Sequence, residues 1–282
     1  MANDGFRILM CRPTYFKVFY AINPWMSINN PVDEPKAKKQ WDLLKNTIEK
    51  CGAKVVVMEP DETAKDLPDI VFTANAGIVR EKKVYLANFT NEQRKPEWKI
   101  NEKWFKENGF TTFFNPELAH EGTGDALWIN QGKVLLAGIG PRSDPRALDD
   151  IKSKLRSDGD DFMIVAVKLI DPRFYHLDTC ICPLTDNLAM YYPGGFTPLG
   201  QNNLKNFLEL IPVPECDAKK FACNAVVIGK NVIMNEGCDT IAKELESRGF
   251  KVHFVAMSEY LKSGGSCKCC TLRLDFDWYK NK

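Results

Sequence analysis

The residues best suited to chemistry lie near the end of the chain, in GGSCKCCTLRL, where Cys267, Cys269 and Cys270 follow the paired glycines Gly264 and Gly265. As metal ligands these thiols need partners, because zinc sites take separated pairs and a Cys-Lys-Cys-Cys run alone cannot place four ligands tetrahedrally. Cys180 and Cys182 can complete a set, yet alternate residues of a strand share one face, which is equally the pattern of a buried core. As a nucleophile a thiol needs thiolate character, which Lys268 favours, and close backbone approach of a ligand, which glycine permits. A nucleophilic cysteine without a metal is the expectation.

Imidazole is scarce, with only His120, His176 and His253 available. In DPRFYHLDT, His176 and Asp178 stand two residues apart, so on a strand both project to one face as a base beside a carboxylate. In HEGTGD, Glu121 and Asp125 bracket two glycines that let a ligand lie against the backbone. No GxSxG elbow is present, so a serine nucleophile of that kind is not expected. Several acids around a thiol suit a compact planar cation. Guanidinium carries five fixed N–H donors and pairs bidentately with carboxylates, and its burial calls for the paired charge that Glu121, Asp125 and Asp178 supply. The bound cation in turn favours thiolate at Cys269. The expected partner is a small-molecule guanidino compound.

The elements that position these residues repeat. An apolar run, a polar turn and a second apolar run appear in FTANAGIVREKKVYLANF, GDALWINQGKVLLAG, LDTCICPLTDNLAMYYP and CNAVVIGKNVIMNE. Asn-Gln-Gly, Thr-Asp-Asn and Gly-Lys-Asn are hairpin-turn chemistry between β-rich runs. Amphipathic patterns predict helices over Pro35–Cys51, Pro96–Asn108, Asp144–Asp158, Leu199–Leu210 and Cys238–Arg248, each followed by a short apolar strand. The unit is hairpin, helix, strand, and periods of this size signal cyclic or solenoid arrays. Aligned hairpin starts give Asn75, Asp125, Asp178, Asn224 and Cys269, at spacings of 50, 53, 46 and 45 residues. Five polar residues where strands begin predict a ring with those side chains converging on its axis.

Composition narrows the class. The 282 residues carry Lys+Arg 38 against Asp+Glu 37, a net +1 that offers no basic nucleic-acid surface. No apolar run reaches membrane-spanning length, and the start lacks the pattern of a secretory leader. Ten cysteines are too sparse for a disulfide scaffold. The expectation is a soluble, cytoplasmic protein with one catalytic domain over residues 1–282, no nucleic-acid or membrane partner, and a homo-oligomer left open.

Six motifs, NPWM, PDIVFTANAG, EGTGDAL, DPRFYHLDT, FACNAV and GGSCKCCTLRL, stand in order from about Ile8 to Leu274. Together they resemble the guanidino-modifying enzymes of the pentein superfamily, most nearly dimethylarginine dimethylaminohydrolase-like proteins and the arginine dihydrolase domain of cyanobacteria. The resemblance implies an α/β fold, a pseudo-fivefold α/β-propeller of ββαβ repeats. It also implies cofactor-free hydrolysis of guanidino C–N bonds in free arginine or N-methylated arginine through a covalent thiouronium. Carried over residue by residue, it makes Cys269 the nucleophile, with His176 and Glu121 as catalytic partners. Asp178 and Asp125 become substrate-binding acids, Arg142 in GIGPRSD a holder of the α-carboxylate, and Arg94 a second basic contact. Asn23 and Phe72 line the pocket. Asn75 departs from the aspartate usual in arginine deiminases and amidinotransferases; an amide both donates and accepts, so it can retain a urea-like intermediate for a second hydrolysis. An amidinotransferase and a non-catalytic binding protein of the same architecture are the alternatives.

Overall fold

Two kinds of strand pairing alternate along the chain, an antiparallel hairpin closed by a tight turn and a parallel partner delivered by a helix. The computed structural model describes residues 6–157 and 159–275. The first strand, β1 (Arg7–Cys11), is followed by α1 (Glu34–Lys50) and β2 (Lys54–Met58), which lies parallel to β1. A second sheet takes β3 (Gly77–Arg80), β4 (Lys83–Leu86) and, after α2 (Glu97–Glu107), β5 (Thr111–Phe113). The third takes β6 (Ala126–Ile129), β7 (Val134–Ile139) and, after α3 (Ala147–Leu155), β8 (Met163–Lys168). The fourth takes β9 (Ile181–Pro183), β10 (Leu188–Tyr191) and, after α4 (Pro198–Lys205), β11 (Glu209–Pro212). Beyond the short α5 (Glu215–Ala218), the fifth takes β12 (Val226–Ile228), β13 (Asn231–Asn235) and, after α6 (Asp239–Ser247), β14 (Lys251–Val255). Finally α7 (Ser258–Leu261) leads to β15 (Leu272–Arg273), which pairs antiparallel with β1 and completes the first sheet from the far end of the chain.

Local chemistry accounts for these elements. Asn130, Gln131 and Gly132 turn the β6–β7 hairpin with φ of 47°, 54° and 71°, the left-handed region such turns require. Helix α1 starts at Asp33, whose carboxylate accepts the Lys36 N–H at 3.0 Å, with Pro35 in the first turn. Its buried Trp41, Leu44 and Ile48 form one stripe against the first sheet. One apolar core runs through the third, fourth and fifth sheets, joining Leu136, Ile181, Met190 and Val232.

The predicted helices are all present, with differences at their ends. The helix expected over Leu199–Leu210 stops at Lys205, because Glu209–Pro212 pairs parallel with Leu188–Tyr191 and takes the last residues into the sheet. The one expected over Asp144–Asp158 is confined to Ala147–Leu155, and Asp158 lies outside the described residues. The outermost residues of the predicted 1–282 domain lie outside them too.

The polar residues expected at strand starts lie just upstream instead, in tight turns. Asn75 sits in a 3₁₀ turn over Thr73–Ala76 and Asp178 in another over Leu177–Thr179, while Asp125 closes a third over Gly122–Gly124. The turns point both side chains and amides at the neighbouring repeat, and a closed circuit of hydrogen bonds results. Ala74 N–H donates to Cys269 O at 3.0 Å. Asn75 Nδ2 donates to Glu121 O at 2.9 Å, and Leu177 N–H to Asp125 Oδ1 at 3.0 Å. Asn224 Nδ2 donates to Asp178 O, and Cys269 N–H returns to Asn224 Oδ1, both at 3.1 Å. The five repeats therefore close into a ring. No helix among the described residues is long and apolar enough to cross a membrane.

Ring closure depends on β15, where Leu272 is buried opposite Leu9. Leu272→Ala is expected to cost about 2–5 kcal/mol in urea unfolding. Amide exchange should accelerate in β1 well before it does in β10, because β10 keeps both of its strand partners.

Candidate active site

On the side of the circuit away from the inner strands lies a small cavity. Ile22 and Asn23 reach it from the long connection between β1 and α1, and Ser263, Gly264 and Gly265 from the turn before β15. Of the three terminal cysteines only Cys269 lines it; Cys267 and Cys270 are buried with Tyr260 in the core of the first sheet. Asn224 Nδ2 donates to the Cys269 sulfur at 3.1 Å, and the Asp178 carboxylate lies 3.8 Å from it. Burial, together with the Asp178 charge, pushes the Cys269 thiol well above its ordinary value, so without ligand it stays protonated. Burial also raises the Asp178 carboxyl to about 6, against the opposing pull of Lys268 and His176.

His176 does not pair with Asp178 as a strand geometry predicts, because Leu177–Thr179 is a 3₁₀ turn and the two side chains diverge. Its partner is Glu121, whose Oε2 lies 2.7 Å from His176 Nε2. The same oxygen accepts Arg142 Nη1 at 2.9 Å, and Glu121 Oε1 accepts the Thr90 N–H at 3.2 Å. Burial alone would raise the Glu121 carboxyl, but the His176 hydrogen bond and the Arg142 charge hold it down at about 2. This carboxylate is ready to stabilise an imidazolium. Arg142 also donates to Ile22 O at 2.8 Å and lies over the Tyr175 ring at 4.6 Å. Asp144 pairs with Arg146 on the surface, leaving Arg142 to the cavity.

Arg94 is buried and spends its fork on Glu97, with Nη1 donating to Asn75 Oδ1 at 3.0 Å. The Asn75 amide is thus fixed at both ends, since its Nδ2 holds Glu121 O, yet among the described residues the second N–H of that nitrogen has no acceptor. Asp125 does not face the cavity. Its oxygens accept Ser143 Oγ at 2.7 Å and the Leu177 N–H, so it ties the third repeat to the fourth. Asn23 and Phe72 both line the cavity.

The glycines serve the protein's own packing where sequence pointed to room for ligand. A Cβ on Gly265 would meet the Phe72 ring at 2.4 Å, and one on Gly264, at φ +80°, would meet Asn23 and the Tyr175 hydroxyl at 2.8 Å. In HEGTGD a Cβ on Gly124 would strike Asn75 Nδ2 at 2.4 Å. His120 is likewise structural: its Nδ1 accepts the Gly122 N–H at 3.2 Å, and burial lowers it to about 4.

Sequence reasoning missed three residues here. Asp69, inside the PDIVFTANAG motif, is among the described residues the one carboxylate on the cavity lining, held by Tyr20 OH at 2.7 Å and Ser263 Oγ at 2.8 Å. Tyr175, beside His176, donates to Gly264 O at 2.6 Å. Asn224 was aligned with the other convergent positions but given no task. A carboxylate, an imidazole held by Glu121 and a shielded thiol in one cavity can bind a cation and attack its electrophilic carbon.

Known proteins resemble this chain over most of its length. A family model described as N,N dimethylarginine dimethylhydrolase, eukaryotic, matches residues 21–275. The chain is 42% identical over 276 residues to the bifunctional arginine dihydrolase/ornithine cyclodeaminase ArgZ of Synechocystis, covering 96% of this chain but only 38% of that protein. It is 38% identical to the N(G),N(G)-dimethylarginine dimethylaminohydrolase of Mycobacterium tuberculosis, covering 95% of this chain and 85% of that one. The crystal structure of the N-terminal domain of ArgZ from cyanobacteria, a Cys-to-Ser variant bound to substrate, superposes with a TM-score of 0.89. Identity is 41%, over 95% of this chain and 98% of that one. The α/β-propeller that the resemblance implied, and with which the repeat agrees, is the fold of these relatives.

His120 gives the site an acid-sensitive support. The unfolded chain protonates this imidazole near 6.5 and the folded one only near 4, so folding loses stability as pH falls between them. His120→Asn keeps an acceptor for the Gly122 N–H and removes the titration. Urea unfolding should then show a pH 7-to-4 stability loss smaller by about 3 kcal/mol than in the wild type; an unchanged loss assigns the sensitivity elsewhere.

Proposed function

This chain belongs to the N,N-dimethylarginine dimethylhydrolase family, and from that premise we propose that it hydrolyses guanidino C–N bonds of free arginine or N-methylarginine through a covalent adduct on Cys269. The observation that carries the reading is the cavity itself, where Cys269, the Glu121-paired His176 and the carboxylate of Asp69 face one small space. The substrate guanidinium pairs with Asp69, its planar fork matching a carboxylate already fixed by two donors. That arriving charge lowers the Cys269 thiol, which burial otherwise keeps protonated.

The thiol proton passes to His176, and Glu121 stabilises the imidazolium. The thiolate then attacks the guanidinium carbon, and the tetrahedral species expels ammonia or a methylamine that takes the proton back from His176. Neutral His176 next removes a proton from water, whose oxygen attacks the adduct. The C–S bond breaks, and citrulline leaves. A second attack by Cys269 on the retained ureido carbon, followed by the same hydrolysis, gives ornithine, ammonia and carbon dioxide. Asn75 favours this continuation, since its second N–H suits the ureido oxygen where a carboxylate would repel it. The substrate α-carboxylate falls to Arg142, taking Nη2 from the Ile22 carbonyl. Asn23 and Phe72 close the sides, and Arg94 keeps Asn75 aligned. We further propose a cytoplasmic setting, supported by ten cysteines that are all free thiols, and one catalytic domain over residues 1–282.

Product analysis with arginine and with asymmetric dimethylarginine tests the reading, following citrulline, ornithine, ammonia and dimethylamine separately. Release of citrulline or ornithine is expected, and Cys269→Ser should lower turnover by at least about 1000-fold while leaving substrate binding within about ten-fold. Substantial turnover by that variant excludes covalent catalysis at Cys269. Because Arg142 also holds Glu121, Arg142→Ala should depress turnover of agmatine as well as of arginine, with arginine losing more.

A further inference from the structure

Beneath the hydrogen-bond circuit, on the side of the inner strands, a second and larger cavity runs into the ring. Its walls are apolar, with Val79, Leu127, Trp128, Ile181 and Val226 contributed by four different sheets. At the junction with the circuit stands Lys268, half-buried, its Nζ 3.3 Å from Thr123 Oγ1 and 3.5 Å from Thr271 O. Among the described residues Lys268 makes no ion pair, and the two carboxylates that share the cavity are turned to other partners. Asp275 clasps Arg7 at 2.7 Å, and Asp178 faces the Cys269 sulfur. An ammonium at the end of an apolar well lacks one thing, an anion small enough to enter and apolar enough to fill the walls.

We propose that this axial cavity binds a small apolar monocarboxylate, its anion on Lys268 and its hydrocarbon against the inner strands, and that occupancy slows Cys269 chemistry on the far side. The binding stands without any assumption about the reaction; the coupling rests on Cys269 as the nucleophile. Lys268 is the neighbour in sequence of Cys269, and its charge favours the ionised forms of Cys269, Asp178 and Cys182 alike. An anion paired to Lys268 cancels that help, so the thiol becomes harder to ionise. No bond forms or breaks in this step.

The test is calorimetric titration of the full chain with hexanoate and, as a neutral isostere, hexanol. Both are repeated after Cys269 has been alkylated with a haloacetamidine to block the reaction cavity. Saturable hexanoate binding that survives alkylation is expected. Lys268→Met should weaken it by roughly ten- to a hundred-fold, the worth of a charge-assisted contact, with hexanol comparably weak on the wild type. Val227→Asp, which puts a negative charge on the cavity lining, should abolish binding without changing basal turnover. Binding that vanishes on alkylation places the carboxylate on the arginines of the reaction cavity and overturns the proposal, as does equal binding to Lys268→Met. The coupling is read separately, as several-fold slower alkylation of the Cys269 peptide by mass spectrometry when hexanoate saturates the wild type. An unchanged rate refutes it. Absence of guanidino turnover would sink the enzymatic reading while leaving the titration intact.

Discussion

Everything in this molecule hangs on the five hydrogen bonds that join one hairpin start to the next around the ring. Each lies where water cannot replace it, so each unmade bond would leave a buried polar group uncompensated. The circuit passes from Ala74 and Cys269 through Asn224, Asp178, Asp125 and Glu121 to Asn75. The same residues that hold the repeats together therefore carry or flank the reacting groups. Cys269 contributes its amide and carbonyl to the ring and keeps its sulfur for chemistry. A fold closed by its functional residues gives them little freedom to drift, which is how short turns achieve the accuracy that catalysis needs.

Charge is distributed around this circuit with equal economy. Glu121 holds the His176 imidazole and the Arg142 guanidinium at one oxygen, and its remaining oxygen takes a backbone amide. Arg94 is matched by Glu97, and Arg142 by Glu121. The Asp69 carboxylate accepts from two neutral hydroxyls, Tyr20 and Ser263, while Arg94 Nη2 donates to its backbone carbonyl at 3.2 Å. A buried carboxylate that hydroxyls hold and that no ion pair neutralises among the described residues is the place where an incoming guanidinium gains most. The thiol stays neutral until that cation arrives, so the nucleophile is generated in the occupied site and not in the empty one.

Much of this was legible in the sequence because it is periodic. Five polar positions at near-equal spacing marked the circuit, and hairpin turns and helix stripes marked the repeats between them. What escaped has physical reasons. Periodicity says that Asn224 converges, but not that an amide will straddle Cys269, donating to its sulfur and accepting from its N–H. Asp69 lies outside the repeat, in a 3₁₀ turn ahead of Asn75, and nothing in spacing separates it from other acids. The strand rule for His176 and Asp178 failed because a 3₁₀ turn rotates successive side chains by about 120° where a strand alternates them. Glycines read as room for ligand proved to be room for the protein's own Phe72, Asn75 and Tyr175. A missing Cβ reports close approach without saying of what.

The placement of Lys268 follows from the same electrostatics. A lone cation inside the reaction cavity would favour the Cys269 thiolate at all times, but it would also repel the guanidinium that must bind there. The cations that do line that cavity, Arg94 and Arg142, are each neutralised by a carboxylate. An unneutralised one has to act from behind. Adjacent residues in the tight turn before β15 face opposite sides of the circuit, so Lys268 lines the axial cavity while Cys269 lines the other. From there its field reaches the sulfur and Asp178 together, and the polar layer of the circuit stands between it and the substrate. Low-dielectric surroundings carry that field further than water would, and the apolar walls beneath it, which do little for the reaction, are what maintain them.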